Sequence, residues 1–579
     1  MRLTSVLSLM AAILAVMVIS SGSGLYAEPP GERHPKIDCA ALTGLTIPPV
    51  SIGLQTGGAK ITSATLVPAA PQTIDSSGNV VLAMPEYCKV LGAIAPVDPN
   101  AFPINFEINL PTNWNHRSMQ FGGGGLNGTV VTGLARPYPQ PPNDPVPVAR
   151  GYATFGSDSG HTGNDAAFGL NDEALRNFAY ESLKKTKDTA VYVIGHYYGE
   201  LPKYSYFVGN SNGGREGHTV VQRFPNDYDG VIAVVPILSH EPAHIHDNAV
   251  LTALAPLPMG GGGWMDTNKI KLISDSTAAL CDANDGVVDG IVSKYGVLDP
   301  VLGWHAACQH DVSVLRCNIV NGVQADNENC LTDAQIVAVH VIRDRFTLPF
   351  TLPNGNNGYV GYGAMGGEIN DWPTWVIGSQ PPPVPQPGGV WDMSAYGVGT
   401  IPYFGHTDVR YFMARDPNFQ TYKFNPLTYE PRINYVSAIM DSINPDISAF
   451  INKGGKLIMK ENTADYARST FLGINYYKSV LDKFGEKAVD QSIRLYVAMG
   501  ANHLGAYAPS QADLISLLED WVEKGHAPPT NIVGVTMDPT SFKVKASRPM
   551  CGYGLYPKYN GSGDVNDASS FTCAPLMGP

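Results

Sequence analysis

The feature that most constrains the fold is a short turn bounded by glycines, Gly209-Asn210-Ser211-Asn212-Gly213. It stands between a run rich in β-forming residues, 204–208, and a run with helical character, 214–223. A strand that bends this sharply into a helix needs small residues on both sides of the serine, and it exposes the serine hydroxyl at the end of a sheet. The turn therefore predicts an α/β architecture with Ser211 as a candidate nucleophile. A glycine-rich β-turn without chemistry is the alternative.

A serine nucleophile requires a base, and the base requires a carboxylate that orients it. In folds built around such a turn, the three residues follow in the order Ser, Asp, His. Asp465 lies just past a predicted strand at 456–459, and His503 lies just past another at 493–499. Open parallel sheets place their sites at the carboxyl ends of strands. We therefore predict Ser211, Asp465 and His503 as a catalytic set.

Four successive glycines, 122–125, follow the predicted strand at 117–121. Their bare amides can approach a substrate oxygen closely, and amides aimed at a developing oxyanion stabilise it. We expect Gly124 and Gly125 of this loop to act together with the amide of Asn212, at the N-terminus of the predicted helix. A flexible hairpin is the alternative.

Strands and helices alternate on both sides of a less regular middle segment. Strands are predicted over residues 104–110, 117–121, 152–156, 204–208, 230–236, 456–459 and 493–499, and helices over 170–198, 214–223, 468–484 and 510–524. Such alternation indicates a parallel sheet. Residues 240–445 instead hold four glycines in a row, four cysteines and a proline-rich stretch, which favours a loop-rich insertion. We predict a catalytic domain of residues 28–239 and 446–579, interrupted by a lid domain of residues 240–445.

The composition argues against several classes of protein. Apolar residues make up 44% of the 579 residues and charged residues 15%, which is not the composition of a disordered chain. Lys and Arg number 38 against 51 Asp and Glu, for a formal net charge of −13. A nucleic acid or an anionic membrane requires a clustered basic surface, so neither is expected as a partner. The oligomeric state does not follow from the sequence.

The first 27 residues have the order of a secretory signal peptide: Arg2, then an apolar run at 6–19, then small and polar residues up to Ala27. A retained membrane anchor is the alternative. No later stretch is long and apolar enough to span a bilayer. We therefore expect a secreted or periplasmic protein with no membrane contact after cleavage.

The eight cysteines agree with an oxidising compartment, since their number is even and all follow the predicted signal peptide. Eight cysteines allow 105 pairings, so the count does not fix the connectivity. Closeness along the chain suggests four sequential pairs: Cys39 with Cys88, Cys281 with Cys308, Cys317 with Cys330, and Cys551 with Cys573. A zinc site built from these cysteines is disfavoured, because the chain has no C-x-x-C pair.

An acidic loop begins directly after Cys281. Asp282, Asp285 and Asp289 place three carboxylates within eight residues. Hard oxygen ligands at this density suit Ca²⁺, although the spacing is not that of an EF-hand. A solvated acidic turn is the alternative.

Together these segments resemble the tannase and feruloyl esterase family, which includes mono(2-hydroxyethyl) terephthalate hydrolases. The likeness covers nearly all of the chain after the signal peptide. Its landmarks are Gly122-Gly123-Gly124-Gly125-Leu126-Asn127-Gly128, Ser211-Asn212-Gly213-Gly214-Arg215-Glu216, and residues 151–154, 158–163, 281–290, 444–450 and 454–458. Several long motifs occur in the same order as in the family, which argues against a chance resemblance.

The resemblance implies an α/β-hydrolase fold with a large loop-rich lid domain inserted between late strands. It implies a serine esterase with nucleophile Ser211, acid Asp465 and base His503, and oxyanion amides from the glycine loop and Asn212. The family's outer disulfides correspond to the four sequential pairs. Its structural calcium site in the lid would map to the side chains of Asp282, Asp285 and Asp289 and the carbonyls of Val287 and Ile291.

This sequence departs from the family in one respect that matters for the site. The family usually joins a cysteine before the nucleophile to a cysteine after the catalytic histidine, and those positions are Asn210 and Leu504 here. Both cysteines are missing together, which indicates loss of the bridge rather than a damaged site. The loop around Asp465 also differs from the family's usual G-x-x-D-P-like sequence.

The resemblance implies a small-molecule substrate, the ester of an aromatic acid of the feruloyl, galloyl or terephthaloyl type. Five lid aromatics are candidates for an aryl pocket or for lid core: Trp264, Trp372, Trp375, Trp391 and Phe404. One alternative keeps the esterase but gives it aliphatic or polymeric esters or lactones. The other is a non-catalytic, calcium-stabilised binding protein on a hydrolase scaffold.

Overall fold

The computed structural model of the protein describes residues 33–257, 260–385, 390–393 and 397–576. The predicted signal peptide lies outside these residues. Within them, no helix has both the length and the apolar character needed to cross a membrane. Four disulfides join the same sequential pairs that the spacing suggests: Cys39–Cys88, Cys281–Cys308, Cys317–Cys330 and Cys551–Cys573.

A ten-stranded mixed sheet forms the centre of the molecule. Its strands are β1 (Thr46–Ile47), β2 (Ala59–Val67), β3 (Tyr87–Ile94), β4 (Ile104–Pro111), β5 (Arg117–Phe121), β6 (Ala153–Ser157), β7 (Tyr204–Asn210), β8 (Gly230–Val234), β9 (Lys456–Asn462) and β10 (Ile493–Ala498). The spatial order is β1-β2-β3-β4-β6-β5-β7-β8-β9-β10. Strands β1 to β4 pair antiparallel, as does β4 with β6, and from β6 to β10 every neighbouring pair is parallel.

The parallel half of the sheet is buried on both faces. Every residue of β8 and of β10 is buried, as expected for parallel strands that are covered by helices on both sides. The runs predicted from the sequence coincide with β4 to β10 to within two or three residues at each end. The antiparallel strands β1 to β3 have no counterpart among those predictions.

The helices are α1 (Asp172–Arg176), α2 (Ser182–Tyr198), α3 (Asn212–Arg223), α4 (His240–Leu254), α5 (Thr267–Cys281), α6 (Asp333–Arg343), α7 (Glu368–Trp375), α8 (Thr400–Asp408), α9 (Glu430–Met440), α10 (Ser448–Asn452), α11 (Phe471–Phe484), α12 (Glu486–Asp490) and α13 (Leu514–Lys524). The helix predicted at 170–198 is α1 and α2 joined by a π-helical turn, Asn177–Glu181.

Helix α13 shows how sequence sets these elements. The Asp513 side chain accepts a hydrogen bond from the Ser516 amide at 2.9 Å and so caps the N-terminus. Leu514, Leu518 and Trp521 recur every three or four residues and pack under the sheet. The helix ends at Gly525, whose φ of 75° favours glycine.

The segment between β8 and β9 holds helices α4 to α10 and four short hairpins, so it is more helical than its composition indicates. The hairpins pair Pro256–Leu257 with Gly260–Gly261, Gly296–Asp299 with Gly303–Ala306, Ile319–Val320 with Val323–Gln324, and Phe346–Thr347 with Gly358–Tyr359, and an isolated bridge joins Gly378 to Val398. Helix α8 packs closely on α4, because a Cβ on Gly405 would lie 2.5 Å from the carbonyl oxygen of His244.

Three further hairpins lie outside this segment. Thr73–Ile74 pairs with Val80–Val81 near the antiparallel edge of the molecule. After α13, Ile532–Met537 pairs with Val544–Met550, and Leu555–Tyr559 pairs with Phe571–Pro575. A bridge between Val497 and Cys551 attaches this C-terminal region to β10.

Candidate active site

Ser211 lies at the bend between β7 and α3, with φ of 61° and ψ of −124°. This is a strained conformation for a residue with a side chain. The strain is supported locally, since the Ser211 amide donates to the carbonyl of Val234 at 3.0 Å. The turn also depends on glycine, because a Cβ on Gly209 would lie 2.3 Å from the carbonyl oxygen of Gly213. The geometry is that of the predicted strand-turn-helix bend.

Asp465 and His503 follow the neighbouring strands β9 and β10 and meet beyond their carboxyl ends. The His503 Nδ1 donates to Asp465 Oδ2 at 2.8 Å, and both residues are buried. The other carboxylate oxygen of Asp465 accepts from the amides of Ala467 at 2.8 Å and Arg468 at 3.2 Å. The aspartate is therefore fixed by backbone donors, and it fixes the tautomer of His503 with Nε2 as the free ring nitrogen.

Burial works against the ionisation of Asp465, but the charges of His503 and Arg468 and the hydrogen bonds from His503 and the Ala467 amide outweigh it, so the pKa of the carboxyl lies below its ordinary value. Arg468 is completely buried and pairs with Glu461 on β9, while its guanidinium lies 3.6 Å from Asp465. Burial raises the pKa of Glu461 to about 7 despite this pairing. The acid of the candidate triad is thus part of a buried ionic network.

The two loops that carry Asp465 and His503 are tied to each other by polar contacts. Asn462 donates through Nδ2 to the carbonyl of Asn502 at 2.6 Å, next to His503. The Gly500 amide donates to Thr463 Oγ1 at 2.8 Å. Behind them, Lys460 donates to the hydroxyl of Tyr138 at 2.6 Å, and burial lowers the pKa of this lysine to about 7.

A cavity of about 320 Å³ opens at this end of the sheet. Ser211 and His503 both line it, together with Gly124, Gly125 and Asn212. Its size falls in the usual range for sites that bind small molecules. All five residues that the sequence predicts for the nucleophile, base and oxyanion donors therefore face one cavity, with Asp465 directly behind His503.

The glycine loop leaves suitable donors exposed to this cavity. In the described part of the chain, the amides of Gly124 and Gly125 donate to no protein acceptor. Asn212 is the first residue of α3, so its amide has no acceptor within the helix. A Cβ on Gly124 would meet no atom within 4 Å, so the bare backbone there borders open space. These amides are free to bind an oxyanion.

Glu216 holds the glycine loop against the bend, a role that the sequence analysis missed. Its buried carboxylate accepts from the Gly123 amide at 2.9 Å and from Asn212 Nδ2 at 3.2 Å. Burial raises the pKa of Glu216 to about 7, against the opposing charge of Arg215. The signal was available, because Glu216 lies one helical turn after Asn212 and so shares its face of α3.

Much of the cavity lining is apolar. Its larger apolar side chains include Ile237, Trp375, Ile401, Phe404 and Leu504. Of the five lid aromatics considered from the sequence, Trp375 and Phe404 line the cavity. Trp372 and Trp391 are buried in separate clusters of the lid, and the Trp264 indole donates to the carbonyl of Gly378 at 3.2 Å.

The acidic loop after Cys281 is partly organised by its own backbone. Asp282 Oδ2 accepts from the Gly290 amide at 2.8 Å, and Asp289 pairs with Arg548. Asp282 and Asp285 are buried, and Asp285 Oδ2 has no hydrogen-bond partner. This buried oxygen and the all-oxygen donors fit a hard cation in kind. However, the three carboxylates are not close together: no choice of one oxygen from each places all three oxygens within 4.8 Å of one another.

Within the described residues, a different group does have one ligand atom from each member within 4.8 Å of the others. It consists of His240 and His244 of α4 and Asp408 of α8. Both histidines line the cavity. The two histidines are four residues apart on one helix, a spacing readable from the sequence, although the sequence analysis did not single it out.

Comparison with known proteins agrees with this geometry. A family model described as tannase and feruloyl esterase matches residues 88–574. An uncharacterised esterase of Agrobacterium fabrum is 33% identical over 550 residues, which cover 93% of each chain. The chain belongs to the tannase and feruloyl esterase family. The resemblance found in the sequence is confirmed, and this member of the family is a carboxylic ester hydrolase.

Two other members show the range of named activities in the family. The mono(2-hydroxyethyl) terephthalate hydrolase of Piscinibacter sakaiensis is 29% identical over 87% of each chain. Feruloyl esterase B of Aspergillus niger is 26% identical, covering 95% of this chain and 98% of its own.

Solved structures of the family confirm the predicted α/β-hydrolase fold. The feruloyl esterase B of Aspergillus oryzae superposes with a TM-score of 0.71 at 23% identity, covering 91% of this chain and 98% of its own. The tannin acyl hydrolase of Aspergillus niger gives a TM-score of 0.61 at 21% identity, covering 89% of this chain and 91% of its own. At these identities the likeness concerns the fold.

Asn210 and Leu504 occupy two positions at which the resemblance to the tannase and feruloyl esterase family implies cysteines. They stand where the family's bridging cysteines are expected, and both line the cavity. The Leu504 side chain is 60% exposed. This chain therefore has a polar and an apolar side chain at these two positions of the cavity lining.

Proposed function

We propose that this esterase is a secreted enzyme that cleaves esters of aromatic acids through a Ser211–His503–Asp465 triad and an acyl-enzyme. The observation that carries the proposal is that strained Ser211 and His503 line one cavity, while His503 Nδ1 donates to buried Asp465 at 2.8 Å. That combination supplies a nucleophile, a base and an orienting carboxylate.

The reaction proceeds in two steps. His503 Nε2 takes the proton of Ser211 as the hydroxyl attacks the ester carbonyl, and the Asp465 carboxylate stabilises the imidazolium that forms. The amides of Gly124, Gly125 and Asn212 bind the tetrahedral oxyanion. The alcohol leaves with a proton from His503, and water then attacks the acyl-enzyme with His503 again as base.

An aromatic acyl group suits the cavity. Its apolar lining includes Trp375, Ile401 and Phe404, side chains of the kind that pack against an aryl ring. The related mono(2-hydroxyethyl) terephthalate hydrolase and feruloyl esterase B are named for esters of aromatic acids, which supports the same substrate class here.

Secretion and calcium complete the proposal. The predicted signal peptide and the four disulfides support an oxidising destination outside the cytoplasm.

We assign structural Ca²⁺ to Asp282, Asp285 and Asp289 with the carbonyls of Val287 and Ile291. The ion would neutralise carboxylates that include the unpartnered, buried oxygen of Asp285.

Turnover of a matched ester panel tests the enzymatic proposal. Methyl ferulate, methyl gallate, mono(2-hydroxyethyl) terephthalate and ethyl butyrate are compared on the mature protein, with Ser211→Ala as the inactive variant. We expect at least one aromatic ester to be turned over fastest, and Ser211→Ala to lose hydrolysis. If ethyl butyrate is turned over fastest, the enzyme's substrate class is aliphatic esters instead.

A fluorophosphonate probe separates catalysis from mere binding. We expect it to label the wild type and not Ser211→Ala. Ser159→Ala is the matched control, since Ser159 is also buried with a positive φ but does not line the cavity. An unlabelled wild type would favour the non-catalytic binding protein.

Chelation tests the calcium assignment. We expect EGTA to lower the melting temperature of the wild type and Ca²⁺ to restore it, since a ligand at 100 times its Kd adds about 2.7 kcal/mol to the free energy of unfolding. Asp285→Asn should weaken that response. A melting temperature that ignores both EGTA and Ca²⁺ would refute the assignment.

A further inference from the structure

The first turn of α4 presents two imidazoles toward a carboxylate of α8. The helix begins His240-Glu241-Pro242-Ala243-His244, so the histidines are four residues apart and share one face. Pro242 is tolerated there because it lies in the first turn. One ligand atom each from His240, His244 and Asp408 lies within 4.8 Å of the other two. Two histidines at this spacing on a helix are a common arrangement for binding zinc.

A hydrogen bond fixes which ring nitrogen His244 offers. His244 Nδ1 lies 2.8 Å from the carbonyl oxygen of His240, which only accepts, so Nδ1 carries the proton and Nε2 is the free lone pair. His240 Nδ1 lies 3.3 Å from the Glu241 carboxylate. Metal-bound histidines characteristically donate their second nitrogen to a carbonyl or a carboxylate in this way.

Asp408 lacks what a buried carboxyl group needs from the protein. The residue is 0% exposed, and neither of its oxygens has a hydrogen-bond partner among the described residues. A buried carboxylate without a partner is costly, and a protonated carboxyl would still leave its own O–H without an acceptor. Its acidic neighbours Asp247 and Asp441 add repulsion, which the charge of Arg432 offsets in part. A cation between Asp408 and the two imidazoles satisfies all three groups.

We propose that His240 Nε2, His244 Nε2 and an oxygen of Asp408 bind one divalent first-row transition metal ion, with Zn²⁺ as the favoured occupant. Two imidazoles and one carboxylate suit zinc and its neighbours, whereas Ca²⁺ prefers oxygen ligands alone. Glu241 orients His240 from the second coordination sphere, because its carboxylate already lies at His240 Nδ1. The site is separate from the acidic loop after Cys281.

The position of the site gives it a ligand class. Because His240 and His244 line the same cavity as Ser211, a coordination position not filled by protein would face the cavity. An anionic oxygen group, such as a phenolate or carboxylate on a bound molecule, would fit that position. Metal binding itself does not depend on the proposed esterase mechanism.

Zinc titration of the full mature protein tests the proposal without substrate. The protein is stripped with dipicolinate, returned to Ca²⁺-containing buffer and titrated with ZnCl₂. We expect one tightly held zinc ion per chain by elemental analysis after desalting. X-ray absorption on this wild-type sample should show two imidazole ligands. Absence of retained zinc, or a spectrum without imidazole, would overturn the proposal.

Matched variants locate the ion. Asp408→Asn and His244→Ala should each weaken zinc binding by at least about 100-fold, and Glu241→Gln by about 10- to 100-fold, the range for an outer-sphere partner. His196→Ala, which removes an exposed histidine of α2, should bind as the wild type does. Unchanged affinity in Asp408→Asn and His244→Ala would place the zinc elsewhere and refute the assignment. The wild-type spectrum decides the matter even where a variant fails to fold.

Discussion

Replacing Glu216 with glutamine tests whether the glycine loop must be held against the bend at Ser211 for catalysis. The wild-type carboxylate supplies two acceptors, one for the Gly123 amide at 2.9 Å and one for Asn212 Nδ2 at 3.2 Å. Glutamine has one acceptor oxygen, and its NH₂ group then faces a donor. Asn212 cannot turn its own oxygen toward this group without losing the bond from Arg215 Nε at 2.7 Å. One of the two buried N–H groups of Asn212 Nδ2 therefore loses its acceptor, while Nδ2 keeps its contact with the carbonyl of Gly123 at 3.3 Å.

The structure sets the size of the effect. Leaving a buried donor unpartnered costs about 1–3 kcal/mol, and we expect the free energy of unfolding to fall by that amount. The same contact holds Gly123, the neighbour of Gly124 and Gly125, whose amides we propose to bind the oxyanion of the transition state. We therefore expect kcat to fall about 10- to 100-fold, with KM changed by less than about twofold. A tenfold change equals about 1.36 kcal/mol, so this range lies within the energy of the lost contact.

The assay is steady-state hydrolysis of the best aromatic ester, with urea unfolding on the same samples. Glu107→Gln is the matched control, since Glu107 is a buried carboxylate on β4 in the antiparallel half of the sheet. We expect the control to lose stability without a comparable loss of kcat. The reasoning fails if Glu216→Gln keeps wild-type kcat, if its loss falls on KM alone, or if Glu107→Gln lowers kcat equally.

Three further outcomes follow from the buried charges and the missing bridge. Arg468→Met should lower the free energy of unfolding by about 3–5 kcal/mol, because it leaves the buried carboxylate of Glu461 without its partner. Adding Glu461→Gln should recover much of this loss, and urea unfolding of both variants measures it. Lys460 has a folded pKa of about 7 against 10.5 unfolded, so between these values the unfolded state binds the extra proton and stability rises with pH. Lys460→Met should flatten that rise in unfolding measurements at pH 7 and pH 9. Because Asn210 and Leu504 form no bridge, activity should survive mild reductant better than in bridged relatives, and rapid loss with fold and calcium intact would contradict this.

The parallel sheet and the positions of the triad were predictable because both follow from short-range patterns. Strands β7 to β10 each contain a short apolar run, and Ser211, Asp465 and His503 follow soon after three of them. Strand β2 was not predicted although it is nine residues long. Its register shifts between Ile61 and Ser63, so the alternation of buried and exposed residues is interrupted midway. When the alternation of apolar and polar residues is broken in this way, the sequence does not show a clear strand pattern.

The walls of the cavity depend on contacts that no local pattern encodes. Helices α4 and α8 are separated by about 150 residues, and their packing relies on the missing side chain of Gly405. Trp375 and Trp391 both belong to the lid segment, yet only Trp375 lines the cavity. The spacing of His240 and His244 is visible in the sequence, whereas the position of Asp408 beside them appears only once the two helices are packed.

The polar contacts around His503 explain how the site keeps its geometry without a covalent link between positions 210 and 504. The Asn462–Asn502 and Thr463–Gly500 bonds join the two loops, and the Asp465–His503 bond lies between them. A single such bond contributes about 0.5–1.5 kcal/mol, but the three share the same pair of strand ends. The loop that carries His503 can move away only by breaking them together, and the parallel pairing of β9 with β10 keeps their ends in register. Secondary structure and buried hydrogen bonds thus hold the loop that carries His503 against the loop that carries Asp465.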